Sequence, residues 1–339
     1  MSSTAASGAT RLEPQAQKKS AAPWAALLLA PTVLLLLVVI VYPLISAVQM
    51  SFVKDSGLDP ATGMFVEGGP AGFSNYTNWI LQQCGGAACA PGSLGASFWS
   101  SFGNTFFYAA VTVVLETVFG FWMAIIMART FKGRGILRAA VLVPWAIPTA
   151  VTAKLWYFMF DYNGVINTIL PGNPILWLGS ETSAKWAIII ADAWKTTPFM
   201  ALLIVAGLQM IPGDVYEAAR MDGASTWQRF RHITLPLVKP ALMVAILFRT
   251  LDALRMYDLP AILTGGSNNT STLSMLVVDQ IRQGFNSASA LSTITFLVIF
   301  GVAFIFIRFL GANVTEGSGP RKARRRPRPA ETTTKESRA

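Results

Sequence analysis

Eight charged side chains stand within stretches that are otherwise apolar: Glu116, Lys154, Asp192, Lys195, Arg249, Asp252, Arg255 and Asp258. Charges in such surroundings are costly and face a partner or a water-filled cavity. Four are basic and four acidic, so they can neutralise one another. Arg249, Asp252 and Arg255 recur at i, i+3 and i+6, which places them on one broad face of a helix. Ionised groups give strong hydrogen bonds to hydroxyls, and Trp145, Trp156, Trp194 and Tyr257 offer flat apolar faces for a ring. This chemistry suits a neutral, hydroxyl-rich ligand. The residues expected to line a polar pathway are Asn104, Trp194, Lys195, Arg249, Asp252, Arg255 and Tyr257. Two other readings stay open. The charges can serve only to pin helices together, or Glu116, Asp192 and Asp252 can be ion sites of a gradient-driven carrier.

Other chemistries are excluded by composition. One His and two Cys, with no clustering at ligand spacing, give no metal site. There is no Gly-x-x-x-x-Gly-Lys-Ser/Thr loop to cradle a nucleotide and no Gly-x-Ser-x-Gly elbow. We therefore expect no enzyme activity and no cofactor on this chain. The formal charge of +10 lies in tails and short loops rather than interleaved with aromatic residues, which argues against nucleic acid as a partner.

The elements that must position these groups are membrane helices. The 339 residues are 53% hydrophobic and 13% charged, about half the charged share of soluble domains. Apolar runs long enough to cross a bilayer predict an all-α integral membrane protein with six transmembrane helices. They fall at about 24–48, 102–127, 136–160, 186–211, 240–263 and 290–310. Pro144 and Pro148 predict a kink in the third. A polar tail is expected over 1–22 and a basic one over 312–339. The membrane domain then covers 23–311, with a core from 98 and a polar connector over 212–239. An amphipathic stretch, 273–285, is expected along the membrane surface. The loop 51–98 holds Cys84 and Cys89, either bridged or free.

Charge bias sets the orientation. With both termini cytoplasmic, 20 Lys and Arg fall inside and 3 outside, the other 4 lying within spans. The connector between the fourth and fifth spans is then cytoplasmic. It reads Glu217-Ala218-Ala219, three residues, Gly223, nine residues, then Ile233-x-Leu235-Pro236. Asp214 and Glu217 suit a helix start, a helix is expected over about 215–224, and Ile233 to Pro236 is expected to end the excursion before Pro240 opens the next span.

That pattern, between two spans, resembles the cytoplasmic coupling loop of ABC importer permeases. Over about 24–311 the chain is similar to the carbohydrate importers of the maltose type. The resemblance is carried by Asn104-Thr105, Val143-Pro144 with Pro148, Trp194 to Met200, Phe248 to Asp252 and Leu263 to Gly266, and it extends to trehalose-carrying members in Trp194–Met200 and Thr264–Thr270. It implies the type I ABC importer permease fold in a bacterial plasma membrane. It also implies import of a sugar, a disaccharide such as trehalose or maltose. The implied partners are a second permease subunit, two ATPase subunits holding ATP and Mg, and an extracytoplasmic sugar-binding protein. Glu217, Ala218, Ala219, Asp222, Gly223, Ile233, Leu235 and Pro236 would carry the ATPase coupling.

Overall fold

The computed structural model describes residues 22–58, 63–170 and 172–315. The expected tails lie outside these residues, apart from Ala22 and 312–315, which are helical. Helices α1 (Ala22–Leu36) and α2 (Tyr42–Met50) are joined through a π turn at Leu37–Val41. The window Ala26–Met50 has a mean hydropathy of 2.7 and none of it is buried. A rod that is apolar on every side and exposed along most of its length belongs in lipid.

The excursion that follows is built from three antiparallel pairs of two-residue strands and a short helix. Strand β1 (Val53–Lys54) pairs with β4 (Gly69–Pro70), β2 (Gly57–Leu58) with β3 (Phe65–Val66), and β5 (Gln83–Cys84) with β6 (Ala87–Ala88). Helix α3 (Ser74–Ile80) lies between β4 and β5. Cys84 and Cys89 are joined in a disulfide.

The remaining helices are α4 (Phe98–Ala128), α5 (Arg134–Ala146), α6 (Thr149–Met159), α7 (Val165–Ile169), α8 (Glu181–Gln209), α9 (Gly213–Met221), α10 (Thr226–Arg229), α11 (Leu235–Ala253), α12 (Asp258–Leu263), α13 (Leu273–Ile281) and α14 (Phe285–Thr315). Among the described residues five helical stretches are long and apolar enough to cross a membrane, and the bent pair α5–α6 makes a sixth. The excursion is tied to α14. The Asp55 carboxylate accepts the backbone N–H groups of Asn286 and Ser287 at 2.6 and 3.0 Å, so a distant strand end satisfies the first-turn donors of that helix. The Trp79 indole N–H donates to the Ser287 carbonyl at 3.1 Å.

The core lies where α4 packs along α8. Gly120 makes this possible: a methyl group there would stand 2.9 Å from Met200 Cγ and 3.2 Å from the Ala201 backbone nitrogen. Met127, Met200, Ala201, Ile204, Val238 and Ala245 extend the packing toward α11.

Four expectations are corrected. The third span is two helices meeting at 90°, not one kinked rod, because Pro148 follows an extended Ile147 and no helical hydrogen bonding bridges the pair. The fifth span does not open at Pro240 or run to 263. It is helical from Thr226 to Ala253, with Pro236 in the first turn of α11 and a π turn at Phe230–Thr234 ahead of it. Such a turn re-registers the ladder ahead of a residue with no N–H to give. Helix α9 ends at Met221, not at 224. Finally, α13 ends at Ile281, not at 285, and its Leu273 and Leu276 are buried among Trp79, Phe98, Ala290 and Leu291.

Candidate functional site

Arg249 is the centre of the charged site. It lies one turn before the end of α11 and is 1% exposed. Its Nε and Nη2 grip the two oxygens of Glu116 on α4, the Nη2–Oε1 distance being 2.9 Å. Nη2 also bonds Asp192 on α8, and Nη1 bonds Asp252 Oδ2 at 2.9 Å. Thr196 Oγ1 donates to Glu116 Oε1 at 2.5 Å. One guanidinium thus fixes α4, α8 and α11 by a bidentate pair and two further ion pairs. The exposures differ in a useful way. The side chains of Arg249, Glu116 and Asp192 are 2%, 0% and 9% exposed, whereas that of Asp252 is 72% exposed. Asp252 is the member that is open at the surface of this chain.

Lys195, one turn beyond Asp192 on α8, serves a second junction. Its ammonium donates to the Ile147 carbonyl at 2.5 Å and the Trp145 carbonyl at 3.4 Å. These carbonyls sit at the break between α5 and α6, where helical partners are missing. A lysine there satisfies the orphan acceptors, and irregular backbone at membrane depth is tolerated only when so satisfied.

Lys195, Arg249, Asp252, Arg255 and Tyr257 together line a cavity of about 140 Å³, with Thr149, Asp192, Thr196 and Asp258. Five of the seven expected pathway residues therefore meet. Arg255 and Tyr257 arrive from the break between α11 and α12, not from the face of a continuous helix as the i, i+3, i+6 spacing suggested. Asn104 and Trp194 lie elsewhere. Asn104 is buried and donates to the Asn269 and Ser271 carbonyls at 2.8 and 3.0 Å, holding a loop in which Asn268 and Asn269 have φ of 54°. Trp194 lines an apolar hollow with Phe119, Trp122 and Pro198 and stands edge-on to Trp156 at 5.7 Å. Glu116 was absent from the expected lining set, although a lone carboxylate in one span and a lone guanidinium in another announce a pair. Thr152 Oγ1 and Trp156 Nε1 are buried without a hydrogen-bond partner, and by helical spacing they share the face of α6 that carries Thr149.

The connector forms a second site. Helix α9 ends in a Schellman turn: Gly223 N–H donates to Arg220 O at 3.0 Å and Ala224 N–H to Ala219 O at 2.9 Å. Gly223 has φ of 76°, a value L-residues resist. Ser225 and Gln228 then form a capping box that starts α10, a Ser-x-x-Gln signature present in the sequence but not read from it. Asp214, Glu217, Ala218 and Met221 are exposed, Met221 at 88%, and their spacing puts them on one side of α9. Asp222 and Gly223 are exposed at its end, whereas Ile233, Leu235 and Pro236 lie within the helix that leads into the span.

A membrane helical bundle with a buried charge cluster, a small polar cavity and an exposed helical lever is a transport component. Residues 116–316 match the family described as binding-protein-dependent transport system inner membrane component, and the chain belongs to that family. It is 46% identical over 218 residues to the trehalose/maltose transport system permease protein MalF of Thermococcus litoralis, covering 62% of this chain and 74% of that one. It is 37% identical over 294 residues to the trehalose transport system permease protein SugA of Mycobacterium tuberculosis, covering 86% and 90%. In structure it is similar to a chain of a bacterial alginate ABC transporter solved with an alginate pentasaccharide-bound periplasmic protein. The TM-score is 0.70 at 19% identity, over 88% of this chain and 96% of that one. The fold is thus that of a type I ABC importer permease, and the protein is a multi-pass inner-membrane component.

Proposed function

We propose that this chain forms half of the translocation pathway of an ATP-driven sugar importer, with a disaccharide such as trehalose or maltose as substrate. The observation that carries the proposal is the family match over 116–316, which contains both the charged cavity and the α9 lever. The names of the two relatives above, both trehalose permeases, support the substrate class. Under this reading a second permease subunit completes the pathway. Two ATPase subunits hold ATP and Mg, so hydrolysis is theirs, and a binding protein delivers sugar from outside. Both termini and α9 are cytoplasmic. Glu217, Ala218, Ala219, Asp222 and Gly223 form the docking surface, and Ile233, Leu235 and Pro236 pass its movement into α11. Asp252 and Tyr257, on the wall of that cavity, offer hydrogen bonds to sugar hydroxyls. An ion-gradient carrier fits less well, because Glu116 and Asp192 are spent on Arg249.

The test is uptake of labelled trehalose and maltose into proteoliposomes holding the chain alone or with its second permease, ATPases and binding protein. The reading predicts uptake only for the complete assembly with ATP. Uptake by the lone chain under an ion gradient would contradict it.

A further inference from the structure

Helix α9 has a second side. Tyr216 and Arg220 lie one turn apart on the face opposite Glu217, Ala218 and Met221, and they line a cleft of about 740 Å³. Arg129 and Thr130 enter it from the end of α4, Leu208 from the end of α8, and Thr226, Arg229 and Phe230 from α10 and the turn after it. The Tyr216 hydroxyl and Thr234 Oγ1, 3.0 Å apart, close one wall. Three guanidinium groups thus face one space. No carboxylate lines it, and among the described residues none of the three arginines makes an ion pair. Arg229 Nη2 donates to Thr226 Oγ1 at 3.2 Å, which neutralises nothing. The C-terminal ends of α4 and α8 lie at the cleft, and each such end contributes about half a negative charge. About two positive charges remain uncompensated by this estimate. Ile125, Leu208 and Phe230 give the same cleft an apolar flank, so a small inorganic anion would leave part of it unfilled.

We propose that this cleft binds the phosphate of an anionic phospholipid, with the arginines on the head group and the acyl chain along the apolar flank. The cleft lies where two membrane helices end, the level at which basic pockets between helices hold such head groups. Arg220 and Tyr216 belong to α9 itself, so a bound lipid braces the lever from its membrane side and leaves the Glu217 face free. The inference rests on the proposed cytoplasmic placement of α9 for its sidedness, but not on the substrate or on transport.

The test uses the full chain, purified in neutral detergent and assembled with its ATPases. Retained phosphatidylglycerol and phosphatidylcholine are measured by native mass spectrometry. The comparison is with the triple variant Arg129→Gln, Arg220→Gln, Arg229→Gln and with the corresponding triple lysine variant, which keeps the charge and controls for folding. The expected result is one phosphatidylglycerol retained in preference to phosphatidylcholine. The preference should fall by on the order of 100-fold in the glutamine variant, from the per-charge attraction of three basic groups, and largely survive in the lysine variant. Equal retention of both lipids, or undiminished retention by the glutamine variant, overturns the proposal. Displacement of the lipid by millimolar inorganic phosphate would assign the site to a free anion instead. Retention by the chain without its ATPases that is lost in the assembly would overturn the proposal and assign the arginines to that partner. None of these readouts depends on sugar uptake, so they fail independently of the importer reading.

Discussion

At the scale of single residues, Arg249 and Asp252 share an ion pair but carry different expectations. Arg249 is enclosed by Glu116 and Asp192, and removing one partner of a buried pair leaves an uncompensated charge. Arg249→Met should therefore destabilise the protein by about 3–5 kcal/mol, read as a drop in thermal unfolding temperature in detergent; an unchanged transition would remove Arg249 from its central role. Asp252 is largely exposed, and exposed pairs contribute about 1 kcal/mol or less. Asp252→Asn should keep the transition close to that of the unaltered chain while lowering sugar uptake by the assembled transporter. Uptake at the unaltered rate would make Asp252 a structural residue only. The sequence announced that these charges belong together, since an apolar span seldom tolerates an unpaired one. It did not announce which of them is exposed. Arg249 and Asp252 are three residues apart on one helix, and only the packing of α4 and α8 around the first separates their environments.

At the scale of elements, the lever and the elbow were legible to different degrees. Gly223 could be recognised because its role is local: the backbone bends to positive φ within its own turn. A Cβ there would meet nothing within 4 Å, so the constraint is conformational and not steric. Gly223→Ala should cost roughly 1–2 kcal/mol, whereas Gly223→Asn should be milder, asparagine being at ease in that region. Comparing ATPase association of the two variants by co-purification tests this, and equal behaviour would argue that the turn is not what the partner reads. The α5–α6 elbow was legible only as a kink. Pro144 and Pro148 interrupt hydrogen bonding but set no angle. The carbonyls left over are held by Lys195, 48 and 50 residues away, which no local pattern reveals. Lys195→Met keeps the stem and removes the donor. It should raise hydrogen exchange at 145–150 and lower uptake; unchanged exchange would show that the elbow holds without it. The end of α11 was hidden for a related reason, because Leu254, Met256 and Leu259 continue the apolar pattern across the break.

At the scale of the whole molecule, the architecture joins two sites through one rod. Thr226–Ala253 is helical throughout, beginning at the turn after α9 and ending just beyond Arg249. Under the proposed function, a displacement of α9 would reach the charge cluster along this helix, which is the physical form that coupling between distant sites takes. The class of the molecule was legible from hydropathy, charge bias and the Glu217–Pro236 spacing together, because each reports a constraint imposed by the bilayer or a short backbone motif. Asn104 and Trp194 show the limit of that reading. A polar or aromatic residue at a span has the same sequence signature whether it faces a cavity, a loop or lipid. The account as a whole turns on α9 lying in the cytoplasm. The most direct measurement is labelling of Ser225→Cys with a membrane-impermeant thiol reagent, the native Cys84 and Cys89 being engaged with each other. The account predicts labelling in inside-out vesicles, reduced when the ATPases are bound, and none in intact cells; labelling of intact cells would contradict it.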